Sequence, residues 1–110
     1  MGDRGQVLIK DTGVYLYSHW GATELVKDVQ TALKKRWRWD DEEYLARIIF
    51  DVMVGESQGE ETSFGIGTEK HGDIWILITV DCGNQTVKVE DYKKVVFKGS
   101  FEEFLKYKEK

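Results

Sequence analysis

The chain has 110 residues, of which 41% are hydrophobic and 33% charged, with a formal net charge of −4 at neutral pH. That is room for one hydrophobic core and too little for two, so a single domain over residues 1–110 is expected, neither disordered nor membrane-embedded. The negative balance argues against a broad nucleic-acid surface, which needs many lysines and arginines to neutralise phosphates, and leaves space only for a small basic patch.

In chain order, Val7-Leu8-Ile9 and Val14-Tyr15-Leu16-Tyr17 are β-branched and aromatic runs separated by the turn-forming Asp11-Thr12-Gly13, which predicts an opening hairpin. From Ala22 to Arg36 the apolar residues Leu25, Val29, Ala32 and Leu33 recur at helical spacing, and Lys34-Lys35-Arg36 close the segment where the helix dipole favours cations. Asp40 followed by Glu43 has the spacing of a capped helix start, so a second helix is predicted from Asp41. Tyr44, Leu45, Ile48, Ile49 and Val52 form its stripe, and Gly55 supplies the stop. After a polar loop to Glu61, residues 62–68 and 74–80 read as strands joined by the turn Glu69-Lys70-His71-Gly72. The second is apolar on both faces and so central. Asp81-Cys82-Gly83-Asn84 turns into a strand at Thr86 to Val89, Val95-Val96-Phe97 suggests one more, and Ser100 with Glu103 opens a short C-terminal helix.

The implied class is α+β: a mainly antiparallel sheet of five or six strands, with an antiparallel helix pair and a short C-terminal helix on one face. If the loop after Gly55 returns directly to the sheet, His71 is expected beside Trp37, Trp39 and Asp40 at one end of the helix pair. His19 and Trp20 then belong to the other end, beside residues 55–57 and the Asp81-to-Asn84 turn. A loop crossing the domain would reverse this.

The densest stretch is Arg36-Trp37-Arg38-Trp39-Asp40-Asp41-Glu42-Glu43-Tyr44, which holds two of the four tryptophans. It reads either as a stacking platform with guanidinium groups for phosphate, or as aromatic closure of the core with arginines at a helix C-terminus. Arg47 lies on the same side of the second helix as Asp40, Tyr44 and Asp51, so it either pairs internally or reaches a ligand carboxylate or phosphate with its planar fork. His71 with Asp73, and His19, are candidates for hydrogen bonding or acid–base work, although Ser18 beside His19 shows no evident activation. The glycines of Gly65-Ile66-Gly67 are expected to admit another backbone or a ring close to the strand. Cys82, the only cysteine, excludes an internal disulfide and a multi-cysteine zinc framework; no metal and no cofactor is expected.

Leu16-Tyr17-Ser18-His19-Trp20, then Arg38-Trp39-Asp40-Asp41-Glu42-Glu43-Tyr44-Leu45-Ala46-Arg47, then Gly65-Ile66-Gly67-Thr68 and His71-Gly72-Asp73-Ile74, together resemble a family of small uncharacterised phage and archaeal proteins. Members commonly follow the His-Trp pair with an Asp-Gly-Tyr-Pro-like turn, where this chain has Gly21-Ala22-Thr23-Glu24. The resemblance implies a role for polar residues in the shared blocks and names no activity.

The leading expectation is a small protein that binds a small polar or nucleotide-like ligand at the helix-junction face. Trp37 and Trp39 would stack, Arg38 or Arg47 would meet negative charge, and Asp40, His71 and Asp73 complete the site, with His19 and Trp20 secondary. The alternatives are a protein-interaction or homodimerisation module pairing through an exposed strand edge, and a metal-assisted hydrolase using His71, Asp40 and Asp73. No apolar run spans a bilayer and no secretory signal is visible at Met1-Gly2-Asp3-Arg4-Gly5, so no membrane partner and a cytoplasmic location are expected.

Overall fold

The computed structural model describes residues 3–109. The opening hairpin pairs β1 (Gly5–Ile9) with β2 (Val14–Ser18) around a turn in which Gly13 adopts a left-handed φ of 73° and its N–H donates to the Ile9 carbonyl at 2.9 Å. A 3-10 turn, Ala22–Glu24, leads into α1 (Leu25–Lys34), which buries Leu25, Val26, Val29, Ala32 and Leu33. The next helix, α2 (Glu42–Val54), starts one residue later than the spacing predicts. Asp41, not Asp40, is its N-cap and accepts from the Tyr44 N–H at 3.2 Å, while Gly55 ends it at φ 54°. After a 3-10 turn at Gly55–Ser57 come β3 (Phe64–Gly67), β4 (Ile76–Asp81), β5 (Thr86–Asp91) and β6 (Lys94–Ser100). The short α3 (Phe101–Leu105) carries the expected capping box, with both Ser100–Glu103 hydrogen bonds in place.

The six strands lie in the order β3-β2-β1-β4-β5-β6, and every neighbouring pair is antiparallel except β1 with β4. That one parallel pairing, with Gly5 opposite Ile76 and Ile9 opposite Val80, overturns the expectation of a β3–β4 hairpin. β3 already runs parallel to β1, so the chain leaves β3 at the Ile9 end and must return to the Gly5 end before β4 can begin. A hairpin reverses direction and cannot do this. Residues 68–75 therefore cross the sheet on the face away from the helices.

Gln6 holds the crossing segment. Its side chain is 1% exposed, its Nε2 donates to the Glu69 carbonyl at 3.2 Å, and its Oε1 accepts from the His71 N–H at 2.9 Å. Arg4 pairs with Asp73, and Asp3 accepts from the Trp75 indole N–H at 2.6 Å and from the Thr23 N–H at 2.8 Å. Burial opposes ionisation of Asp3, but the hydrogen bonds from Thr23 and Trp75 outweigh it and lower its pKa.

On the helix side, alternate strand residues Val7, Ile9, Leu16, Ile76, Ile78, Val80, Val87 and Val89 meet Leu25, Val29, Leu33, Leu45, Ile49, Phe101 and Phe104 in one core. Each such aliphatic side chain stabilises the fold by about 1.5–3 kcal/mol when fully buried. Gly5 lets α1 approach the sheet, since a Cβ there would stand 2.6 Å from Ile76 and 2.7 Å from Leu25. No helix among the described residues is long and apolar enough to cross a membrane.

Candidate functional site

The crossing segment changes which residues meet. It carries His71 to the Gly5 end of the sheet, where β2 delivers Tyr17 and the chain beyond it delivers His19 and Trp20. The imidazole of His71 lies against the Tyr17 ring with centroids 4.5 Å apart, and the Tyr17 hydroxyl is 2.9 Å from Nδ1 of His19. Trp20 stands edge-on to His19 at 4.3 Å and is 59% exposed. Both histidines thus converge on one phenol, where direct return of the loop had placed them at opposite ends. His19 donates its N–H to the Ser63 carbonyl at 2.8 Å, a loop residue beyond the expected 55–57, and the Asp81-to-Asn84 turn is at the far end of the sheet.

The electrostatics of this cluster are set by one ion pair. Arg4 holds the Asp73 carboxyl below its ordinary range through their hydrogen bond, and Oδ1 of Asp73 sits 4.0 Å from Nδ1 of His71. Burial pushes the Tyr17 phenol up, with Asp73 adding to the shift and Arg4 opposing it, so the hydroxyl keeps its proton at neutral pH. A protonated phenol donates to His19 Nδ1 when the imidazole carries its proton on Nε2 alone. It accepts there when Nδ1 carries a proton. In either case Nε2 of His19 is left to bind something else.

Glycine shapes the flank of the cluster. Tyr15 and Tyr17 share the face away from the helices and are opposed across β3 by Gly67 and Gly65, while Leu8 and Gln6 stand on their other side. A Cβ at either glycine would meet nothing within 4 Å, so these residues admit no neighbouring backbone or ring of the chain itself. Both tyrosines are half-buried, Tyr17 beneath the His71 ring.

The helix junction lies at the opposite, Ile9, end. Here Trp39 is committed to packing: its indole N–H donates to the Leu33 carbonyl at 3.0 Å, its ring meets Phe101 edge-on at 5.2 Å, and Arg36 lies over it. Trp37, in contrast, is 58% exposed beneath Lys35. It shares a shallow cleft of about 300 Å³ with Arg47, Ile48, Asp51 and Val52, in which Arg47 pairs with Asp51. Arg38 stacks over the Tyr44 ring at 4.5 Å, and Asp40 is exposed in the turn before α2. The expected set is therefore split. Trp37 and Arg47 meet at one end, His71, Asp73, His19 and Trp20 gather at the other, and Arg38, Trp39 and Asp40 belong to neither group.

Sequence reasoning missed Tyr17, Arg4 and Gln6 as members of the second cluster. Tyr17 alternates with buried Leu16 and Ser18 and so faces away from the core, a signal that was present. Arg4 and Gln6 become neighbours of His71 only through the crossing segment. Asp40 is removed from the proposed His71, Asp40 and Asp73 ligand set, and no group of three or more His, Cys, Asp and Glu among the described residues is placed to hold a metal ion. Cys82 is buried, and burial foremost, with nearby carboxylates adding, pushes its thiol up to about 12.

Comparison with family models, with curated proteins and with solved structures finds no match to this chain. The fold defines an α+β protein with its helices on one face of a six-stranded sheet. Its other face is partly roofed by a connecting segment.

Proposed function

We propose that the protein binds a nucleotide-like ligand at the Gly5 end of the sheet, where His19, His71 and Tyr17 converge beside Trp20. The observation that carries this is the meeting of two partly exposed imidazoles on one phenol next to a tryptophan that is 59% exposed. Imidazoles offer N–H donors to a phosphate, and an exposed indole offers a face to a base, an interaction worth about 1–3 kcal/mol. The same chemistry fits a ligand of moderate affinity, because the phosphate is met at the surface and stays in competition with water.

A second reading keeps the ligand at the helix junction, on exposed Trp37 with Arg47 beside it. Arg47 is already engaged by Asp51, and that favours the first reading.

Titration of intrinsic tryptophan fluorescence with a panel of mononucleotides separates the two. Quenching is expected in the wild type and in Trp37→Phe, with loss of the signal change in Trp20→Phe and weakened binding in His19→Ala and His71→Ala. A signal that disappears in Trp37→Phe and survives in Trp20→Phe moves the site to the junction. Absence of both quenching and thermal stabilisation with every nucleotide sinks the proposal.

A further inference from the structure

We infer that the cleft beside His71 is a polyphosphate subsite, so that the ligand of the site above is a nucleoside di- or triphosphate; this rests on the nucleotide reading and narrows it. The cleft lies at the same Gly5 end of the sheet, measures about 230 Å³, and is lined by Lys70, His71, Trp75, Glu90 and Lys93 among others. That is smaller than the ~300–1,000 Å³ of a pocket that holds a whole small ligand, and so fits one group of a ligand anchored elsewhere. His71 belongs to both places, since its ring lies against Tyr17 and also lines the cleft. The cleft floor on β4 is two interstrand steps, about 10 Å, from β2 with its Tyr17. A first phosphate met by His71 therefore leaves those that follow it to run into the cleft.

The charge of the cleft selects the group. Glu90, the one acid among its lining residues, is met by Lys88 at 3.4 Å. Lys70 and Lys93 have no carboxylate within 4.0 Å among the described residues. Two ammonium groups thus line one small space unbalanced, in a chain whose net charge is −4. Their match is a group with at least two negative charges and several acceptor oxygens, which a diphosphate supplies and a single carboxylate does not.

The β5–β6 turn holds Lys93 at the cleft against local preference. Asp91 pairs with Lys94, which leaves Tyr92 and Lys93 as a two-residue loop at φ 49° and 70°. Such loops favour Asn-Gly, because a Cβ is strained at positive φ. For Tyr92 the strain is offset by a stacked neighbour, the Trp75 ring at 6.0 Å, whose indole N–H is fixed by Asp3 at 2.6 Å. Lys93 has no ion pair among the described residues to offset its own. A strained side chain without a charged partner in the fold is placed for a partner outside it.

The test is calorimetric titration in metal-free buffer with adenosine mono-, di- and triphosphate and with inorganic tripolyphosphate, using wild type, Lys93→Gly and Lys70→Ala. Affinity should rise at least about tenfold from mono- to triphosphate. Lys93→Gly should lose most of that rise, keep monophosphate binding, and melt no lower than wild type, because glycine accepts the φ of the turn without strain. Lys70→Ala should lose the rise likewise. Equal affinity for the three nucleotides overturns the subsite and leaves the nucleotide reading standing. If no nucleotide binds, that reading falls and tripolyphosphate decides the cleft alone: binding that Lys93→Gly weakens upholds a polyphosphate site there, and absence of binding ends the proposal. A rise that survives in both variants, or a Tm clearly below wild type in Lys93→Gly, also overturns the inference.

Discussion

Gln6→Ala is the substitution that tests how the fold delivers His71. The wild-type side chain is 1% exposed and makes two hydrogen bonds to the crossing segment, donating to Glu69 at 3.2 Å and accepting from His71 at 2.9 Å. Each is worth a net ~0.5–1.5 kcal/mol, and the freed backbone groups can turn to water if the segment lifts, so the expected loss is about 2 kcal/mol. For a domain of this size that lowers Tm by roughly 10 °C. Alanine also leaves space under the segment, so the His71 N–H should exchange with solvent much faster while amides of the core strands change only with global stability. Gln6→Glu sharpens the point, because it sets a carboxylate against the Glu69 carbonyl and buries a charge, and it should cost more than alanine at neutral pH. Urea denaturation gives the stability and hydrogen exchange gives the local opening. A Gln6→Ala protein within about 0.5 kcal/mol of wild type, with unchanged exchange at His71, would refute the reasoning.

Asp28 gives a pH-dependent prediction. Its carboxyl, half-buried on α1, is pushed up to about 6 from a usual 3.8, by burial first and by Glu24 second. A raised carboxyl pKa means that the folded state holds a proton the unfolded chain has lost, so stability falls as pH rises from about 4 to about 6. Taken at face value the shift is worth ~3 kcal/mol, and solvent screening of a half-exposed group reduces this to ~1 kcal/mol. Asp28→Asn should therefore be stabilised by about that much at pH 7 and by far less at pH 4; equal urea midpoint shifts at both would contradict it. Cys82, buried with a thiol near 12, should resist a disulfide reagent at pH 8 until the protein unfolds, so rapid modification of the native protein would count against its placement. Gly5→Ala forces a methyl to within 2.6 Å of Ile76 and 2.7 Å of Leu25 and should cost about 1–3 kcal/mol, an expectation that a raised Tm would defeat.

The sequence by itself determined the local elements and their one-sided arrangement. Gly13 in the first turn, the stop of α2 at Gly55 and the Ser100–Glu103 capping box are codes held within a few residues, and each is found where expected; the α2 stripe is found at Leu45, Ile48 and Ile49, while Tyr44 turns out to solvent and Met53 is buried instead. Where local codes were absent, boundaries slipped. The β5–β6 hairpin turns on Tyr92 and Lys93 at φ 49° and 70° without the glycine that usually marks such a turn, and the Tyr92 ring stacks on Trp75, a contact from another part of the chain. Arg36 and Arg38 take left-handed φ values in the helix junction, again with no glycine to announce it. Only the tertiary structure decided the neighbours of β4, because Ile76 to Val80 would bury equally well beside β3 or β1. The pattern of a central strand records that both faces are covered and is silent on which strand lies alongside. Pairing with β1 in parallel forces residues 68–75 across the sheet, and that crossing takes His71 from the helix junction and sets it on Tyr17 with His19. The site is thus assembled by contacts more than 50 residues apart in the chain, which local propensity cannot encode.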